Sequence, residues 1–285
     1  MKIEGKWSRN KYKLISLVGL GNFGTVYKVE DAKGCIRAMK ISKDTLSITN
    51  EYNAMVALQD MFFIPRVYEF DDWEYNGNIL HYIVMEYIPG NNLKEIAEDN
   101  SLKPSTILKI GLILINMFRK IDGLGYKYTD IKLENIILAN NGRIYFIDFG
   151  GLVERGKPTK EYTPVYNINS WRVDFSYNIE MGILFSITMI MITLIGNMEY
   201  NPLVYDLEQV RAKVQTFPLK KEEKQFLHRA LRGKYKTFNQ YENALASMLK
   251  GEGYYKTLSK IDYVLIASIV SFVFVIIIGI RYIYY

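Results

Sequence analysis

Apolar and polar positions change their spacing near residue 90. Before it, apolar residues come in short runs at 14–18, 25–29, 36–41, 66–70 and 79–87, rich in Val, Ile and Tyr and separated by turn formers such as Asp31-Ala32-Lys33-Gly34 and Asn76-Gly77-Asn78. This pattern predicts a small antiparallel sheet, interrupted by one helix over 47–58. After residue 92 the spacing becomes helical. Residues 105–121 follow Pro104 and repeat apolar positions at Ile107, Ile110, Leu114, Ile115 and Phe118, the stripe of a helix set in a core. A short strand pair is expected around 135–148. A β-rich lobe followed by a larger helical lobe is an α+β, bilobal fold, with any binding cleft expected between the lobes.

Two longer apolar stretches need separate readings. Residues 263–280 run without a charge between Asp262 and Arg281, and at about 1.5 Å per residue they span about 27 Å of a roughly 30 Å hydrocarbon core. Lys250, Lys256 and Lys260 precede this stretch, so the positive-inside rule puts the N-terminal bulk in the cytoplasm. The expectation is a tail anchor, with Tyr282, Tyr284 and Tyr285 at the far interface. Residues 181–195 are shorter and contain Ser186, Thr188 and Thr193, so they are expected to form a buried helix instead. Residues 1–9 carry charge and no apolar run, so no secretory signal is expected.

With 49% hydrophobic and 23% charged residues, the 285-residue chain has the composition of a packed globular protein. Its one cysteine, Cys35, allows no internal disulfide, and His81 and His228 fall short of a zinc site. The net charge of +6 is mild. It fits a weak preference for anionic ligands or surfaces and makes no argument for nucleic acid.

Candidate chemistry begins at Gly19-Leu20-Gly21-Asn22-Phe23-Gly24-Thr25-Val26, a G-x-G-x-x-G-x-V pattern. Glycines there let a backbone hairpin approach phosphates without Cβ obstruction. A dinucleotide-binding turn would open a helix directly after the third glycine, whereas Thr25-Val26-Tyr27-Lys28-Val29 is β-prone, which favours the hairpin. Lys40, after Ala38 and Met39 on a predicted strand, precedes Glu51 on the next helix, and a buried pair of these two could position the α and β phosphates of ATP. Further on, Asp130, Lys132 and Asn135 form D-x-K-x-x-N, and Asp148-Phe149-Gly150 follows. These are the groups phosphoryl transfer requires: a carboxylate to accept the hydroxyl proton, a cation for the transferred phosphate, and a carboxamide and carboxylate for Mg²⁺.

The four motifs in this order resemble the Hanks-type, eukaryotic-like bacterial serine/threonine protein kinases, over roughly residues 12–249. The resemblance implies a kinase domain with an N-lobe over 12–88 and a C-lobe over 89–249, after a lead of residues 1–11 and before a linker at 250–262, the span at 263–280 and an external tail at 281–285. It implies nucleotide contacts from Val18, Gly19, Gly21, Asn22, Phe23, Gly24, Val26, Ala38 and Lys40, with Glu51 pairing Lys40. Met85 becomes the gatekeeper, and Glu86 and Ile88 belong to the adenine-binding hinge. Asp130 becomes the catalytic base with Lys132 beside it, Asn135 and Asp148 the metal ligands, and Thr163, in Thr163-Pro164-Val165-Tyr166, the substrate-receiving segment. ATP and Mg²⁺, with Mn²⁺ as an alternative, are the implied cofactors, and proteins bearing Ser or Thr the substrates, this chain included.

Within that family the segments at 41–51, 147–151 and 160–163, with the single C-terminal span, resemble tail-anchored kinases of spore-forming Firmicutes, which implies a role in sporulation or the cell cycle. Regulation by chains coming together on the membrane is expected because Thr129 stands where an arginine would gather a phosphate on the segment around Thr163. The linker at 250–262 is short and gives nucleic-acid binding no support. Three departures stand out. Tyr128-Thr129 replaces the usual His-Arg, Asn167-Ile168-Asn169 stands where Ala-Pro-Glu would fall, and Asn178 or a neighbour replaces the buried aspartate that caps the catalytic loop. They leave two alternatives open, a catalytically silent membrane scaffold and a small-molecule kinase of the aminoglycoside type.

Overall fold

A computed structural model describes residues 1–21, 24–99, 102–158 and 162–249. Strands β1 (Lys2–Glu4), β2 (Lys11–Gly21), β3 (Gly24–Asp31) and β4 (Ile36–Ser42) precede helix α1 (Thr45–Ala57), and β5 (Val67–Tyr75) and β6 (Asn78–Glu86) follow it. They form one antiparallel sheet in the order β1-β2-β3-β4-β6-β5. The predicted strands are all present, with β2 and β5 longer than their apolar runs. The alternation that defines them sorts the two faces. Met39, Ile41, Trp73, Tyr82 and Val84 pack on the outer face with Ile3 of β1, and Ala38, Ile83 and Met85 join α1 and the helical lobe on the inner face.

The expected lead carries β1 and a loop tied to β5. The Asp71 carboxylate accepts the backbone N–H groups of Trp7 and Ser8, at 3.2 and 2.8 Å. Glu69 accepts from the side chains of Ser8, Asn10, Tyr12 and Tyr82. Burial would raise the Asp71 carboxyl, but donors from Ser8, Asp72 and Trp7 outweigh it and hold the group below its ordinary range. Residues 5–10 are therefore fixed to the sheet by charge-assisted hydrogen bonds rather than by apolar burial, which is why hydropathy alone does not reveal them.

The second lobe contains β7 (Gly90–Asn92), α2 (Leu93–Glu98), α3 (Pro104–Gly123), β8 (Tyr126–Tyr128), β9 (Ile136–Ala139), β10 (Ile144–Phe146), β11 (Leu152–Glu154), α4 (Ile179–Gly196), α5 (Leu207–Thr216), α6 (Lys221–Leu231) and α7 (Phe238–Leu249). Strands β9 and β10 are the expected pair around 135–148, and β7 extends them. Strands β8 and β11, three residues each, pair with one another. Such short strands leave no periodic signature.

Helix α4 sits at the centre of the core. Among the described residues it is the helix long and apolar enough, by length and composition, to cross a membrane. Its side chains from Ile183 to Leu194 are nonetheless buried within the lobe, each large aliphatic one contributing about 1.5–3 kcal/mol. Two of its hydroxyls find partners there: Ser186 donates to the Tyr166 carbonyl at 2.5 Å, and Thr188 bonds Leu184 O and the Tyr241 phenol. Gly111 of α3 allows close approach, since a Cβ there would collide with the Met191 sulfur. The expected span at 263–280, with its linker and tail, lies outside the described residues.

Candidate active site

The sheet register gathers the first group of site residues on one face. Val26 lies opposite Lys40, Lys40 opposite Ile83, and Ala38 opposite Met85, and directly opposed residues in an antiparallel pair share a face. Val26, Ala38, Lys40 and Met85 therefore line one roof. Val18 sits at an irregularity between the Leu17–Tyr27 and Gly19–Val26 pairs, half exposed beside that roof. Asn22 and Phe23 lie outside the described residues. Gly24 adopts φ +157°, and a Cβ there would come 2.7 Å from the Ile41 carbonyl oxygen, so this glycine is required by the chain itself. Gly19 has no such neighbour within 4 Å among the described residues.

Lys40 and Glu51 meet beneath this roof at 2.5 Å. Only Lys43 and Asp44 separate β4 from α1, and Asp44 caps the helix by accepting Ser47 N–H. Glu51 then falls on the second turn, facing the sheet, 1% exposed. Burial pushes its carboxyl up to about 7, with Lys40 pulling it back and Asp148 adding to the rise. Lys40 Nζ also stands 3.9 Å from Asp148 Oδ2. Glu86 ends β6, and Ile88 packs its side chain against Ala139 and Tyr145, which fixes the extended link between the lobes.

Asp130, Lys132 and Asn135 occupy the turn between β8 and β9. Lys132 Nζ donates to Asp130 Oδ2 at 2.5 Å, while Asn135 Nδ2 donates to Asp130 O and Oδ2 at 3.0 and 3.2 Å. The other carboxylate oxygen, Oδ1, accepts the Thr163 hydroxyl at 2.9 Å. A hydroxyl on a partly free carboxylate is the arrangement a proton acceptor needs. The Asn135 amide is oriented by its nitrogen, which turns its oxygen the other way. Asp148 is 39% exposed at the side chain, and its Oδ1 accepts Gly150 N–H. One carboxylate and one carboxamide oxygen, with room for water and phosphate oxygens, match the hard-oxygen donor set that Mg²⁺ prefers.

Two residues that look like losses in the sequence brace the site. The Tyr128 phenol donates to the Asp148 carbonyl at 2.5 Å, and its ring meets Phe149 edge-on at 6.2 Å. The Thr129 hydroxyl donates to the Gly151 carbonyl at 2.9 Å, beside a bond from its own N–H. Asn178 does not reach the catalytic loop. Its oxygen accepts Met181 N–H and caps α4, and a cleft of about 340 Å³ lies between that helix end and the loop. Asn167 caps a 3-10 turn at Ile168–Ser170 rather than forming an ion pair.

Gly151 was not singled out by motif, yet a Cβ there would stand 2.8 Å from the Asp130 Cβ and backbone nitrogen. Gly151→Ala is expected to displace Asp130 and destabilise the fold by about 1–3 kcal/mol. A fall in thermal midpoint with broadened signals from the Asp130 loop would show it, and an unchanged midpoint would not agree.

Comparison with known proteins adds four findings. The protein kinase domain family profile matches residues 12–201. Serine/threonine-protein kinase YabT of Bacillus subtilis is 32% identical over 247 residues, covering 82% of this chain and 70% of that protein. A probable serine/threonine-protein kinase of Clostridium perfringens is 30% identical over 156 residues, 51% of this chain and 22% of that protein. Citron Rho-interacting kinase of Mus musculus is 32% identical over 154 residues, half of this chain but 7% of that much longer protein.

Proposed function

The chain belongs to the protein kinase family and is an ATP-dependent serine/threonine kinase, and from that premise we propose that it acts at the cytoplasmic face of a membrane on protein hydroxyls, its own included, through the residues gathered at Asp130. The observation that carries this reading is the Thr163 hydroxyl on Asp130 Oδ1. On this reading an acceptor oxygen would be received at the same carboxylate.

In this scheme Glu51 fixes Lys40, and Lys40 holds the α and β phosphates. Met85 closes the back of the adenine site and the backbone from Glu86 to Ile88 borders its edge. Asp130 orients the acceptor hydroxyl and takes its proton as the oxygen bonds to the γ-phosphorus. The bond from that phosphorus to the β–γ bridging oxygen breaks, and ADP leaves. Lys132, already on Asp130, offsets negative charge on the transferred group. Asp148 and Asn135 would hold Mg²⁺, which when bound neutralises phosphate oxygens. Tyr128 and Thr129 hold the Asp148–Gly151 backbone in place, so the residues that motivated a silent scaffold support the site instead.

The membrane part of the proposal rests on the uncharged stretch at 263–280 and its lysine-bearing approach. The anchor would follow the kinase lobe after the short linker at 250–262, and tethering would concentrate chains for mutual phosphorylation. With Thr129 in place of an arginine, a phosphate on the segment before Thr163 finds no guanidinium at that position, so association is the expected control. Likeness to YabT, together with the C-terminal pattern, supports a role in sporulation or the cell cycle. Protease added outside spheroplasts should leave the chain full length, and protease added to inverted vesicles should digest everything before Asp262. A protected fragment containing residues 181–195 would contradict the single-span topology.

A further inference from the structure

The acceptor side of the site carries a charge pair that the transfer chemistry does not use. Lys94 Nζ donates to Glu134 Oε1 at 2.6 Å. Glu134 lies on the catalytic loop, four residues after Asp130. Lys94 stands on the first turn of α2, held by a reciprocal cap in which Asn92 accepts the N–H groups of Lys94 and Glu95 and Glu95 accepts that of Asn92. A second carboxylate, Glu199, accepts the Tyr166 phenol at 2.7 Å, three residues beyond Thr163. The bond and charge of Glu134, then the charges of Glu199 and Glu98, hold the Lys94 ammonium above its ordinary range, which places all three carboxylates within its field.

The pair is open to solvent, with 44% of the Lys94 and 37% of the Glu134 side chain exposed. Thr163 puts a hydroxyl on Asp130, and an acceptor polypeptide that brings its own hydroxyl to that carboxylate would pass close to the exposed Lys94–Glu134 pair. Without Lys94 that ground would present uncompensated carboxylates, a ready partner for Arg or Lys on the acceptor. With Lys94 the place of the incoming cation is taken from within the chain.

We propose that Lys94 is a specificity-determining residue, an internal counter-cation that lets this kinase take Ser and Thr acceptors without flanking Arg or Lys. The proposal rests on the kinase reading and deepens it by naming the acceptor class. Lys94→Met keeps the aliphatic stem and removes the charge, and Lys94→Arg keeps the charge.

The test compares full-length chains in detergent micelles on matched Ser peptides flanked by Arg, Ala or Glu, measuring kcat/KM for each peptide and KM for ATP. Wild type is expected to use the Ala and Arg peptides alike. Lys94→Met should raise the Arg-to-Ala ratio about five- to tenfold with KM for ATP unchanged, Lys94→Arg should keep the wild-type ratio, and adding Glu134→Gln to Lys94→Met should bring the ratio back down. An Arg preference in wild type, an unchanged ratio in Lys94→Met, or equal loss on every peptide would overturn the proposal, the last because a merely structural pair behaves that way. Failure of the wild type to phosphorylate any protein or peptide would instead overturn the kinase reading, and this proposal with it.

Discussion

Asp130→Asn should reduce phosphate transfer by about a thousandfold or more and leave MgATP binding nearly intact. General-base assistance is worth about 10²–10⁴ in rate, and asparagine cannot accept the acceptor proton. The substitution preserves shape, so Asn135 can still donate to the backbone carbonyl of residue 130. In the proposed scheme nucleotide binding depends on other groups, Lys40 and the roof residues above it. Turnover measured beside a thermal shift with MgATP separates the two effects. Transfer at the wild-type rate would remove Asp130 from the role given to it.

Lys40→Met should cost both activity and stability, and a companion change should separate them. Glu51 is 1% exposed with Lys40 at 2.5 Å. Removing one member of a buried ion pair typically costs about 3–5 kcal/mol, because the other charge stays buried. The double variant Lys40→Met with Glu51→Gln should regain most of the stability, since it leaves no orphaned charge, while ATP turnover stays lost. Denaturant unfolding of the four chains of this cycle gives the coupling directly. Equal stability of Lys40→Met and wild type would contradict the buried pair.

Much of this site can be read along the chain because its parts recur at fixed spacing. Lys40, Asp130, Asn135 and Asp148 are found that way, and the sheet register and loop geometry bring them together. The period-2 runs likewise locate β2 to β6, and the hydroxyls of α4 argue for a core helix over a span, since Ser186 and Thr188 find partners inside the lobe. What spacing cannot convey is which distant residues pair. Tyr128 and Thr129 read as losses until their bonds to the Asp148 and Gly151 carbonyls are seen. Lys94 and Glu134 are forty positions apart and carry no pattern. Residues 5–10 are held by carboxylates on β5, so they look like a free lead. At the start of α4, Asn178 supplies a helix cap, accepting Met181 N–H.

The central claim is that this site moves the γ-phosphoryl group of ATP onto protein hydroxyls. Its most direct test is to incubate the purified full-length chain with γ-labelled ATP, Mg²⁺ and a generic basic protein, alongside a panel of small hydroxylated acceptors, and to hydrolyse the labelled protein for its phosphoamino acids. Label on phosphoserine and phosphothreonine of the chain and of the added protein, absent with Asp130→Asn, is the predicted result. Label confined to the small acceptors, or no transfer at all from wild type, would contradict it.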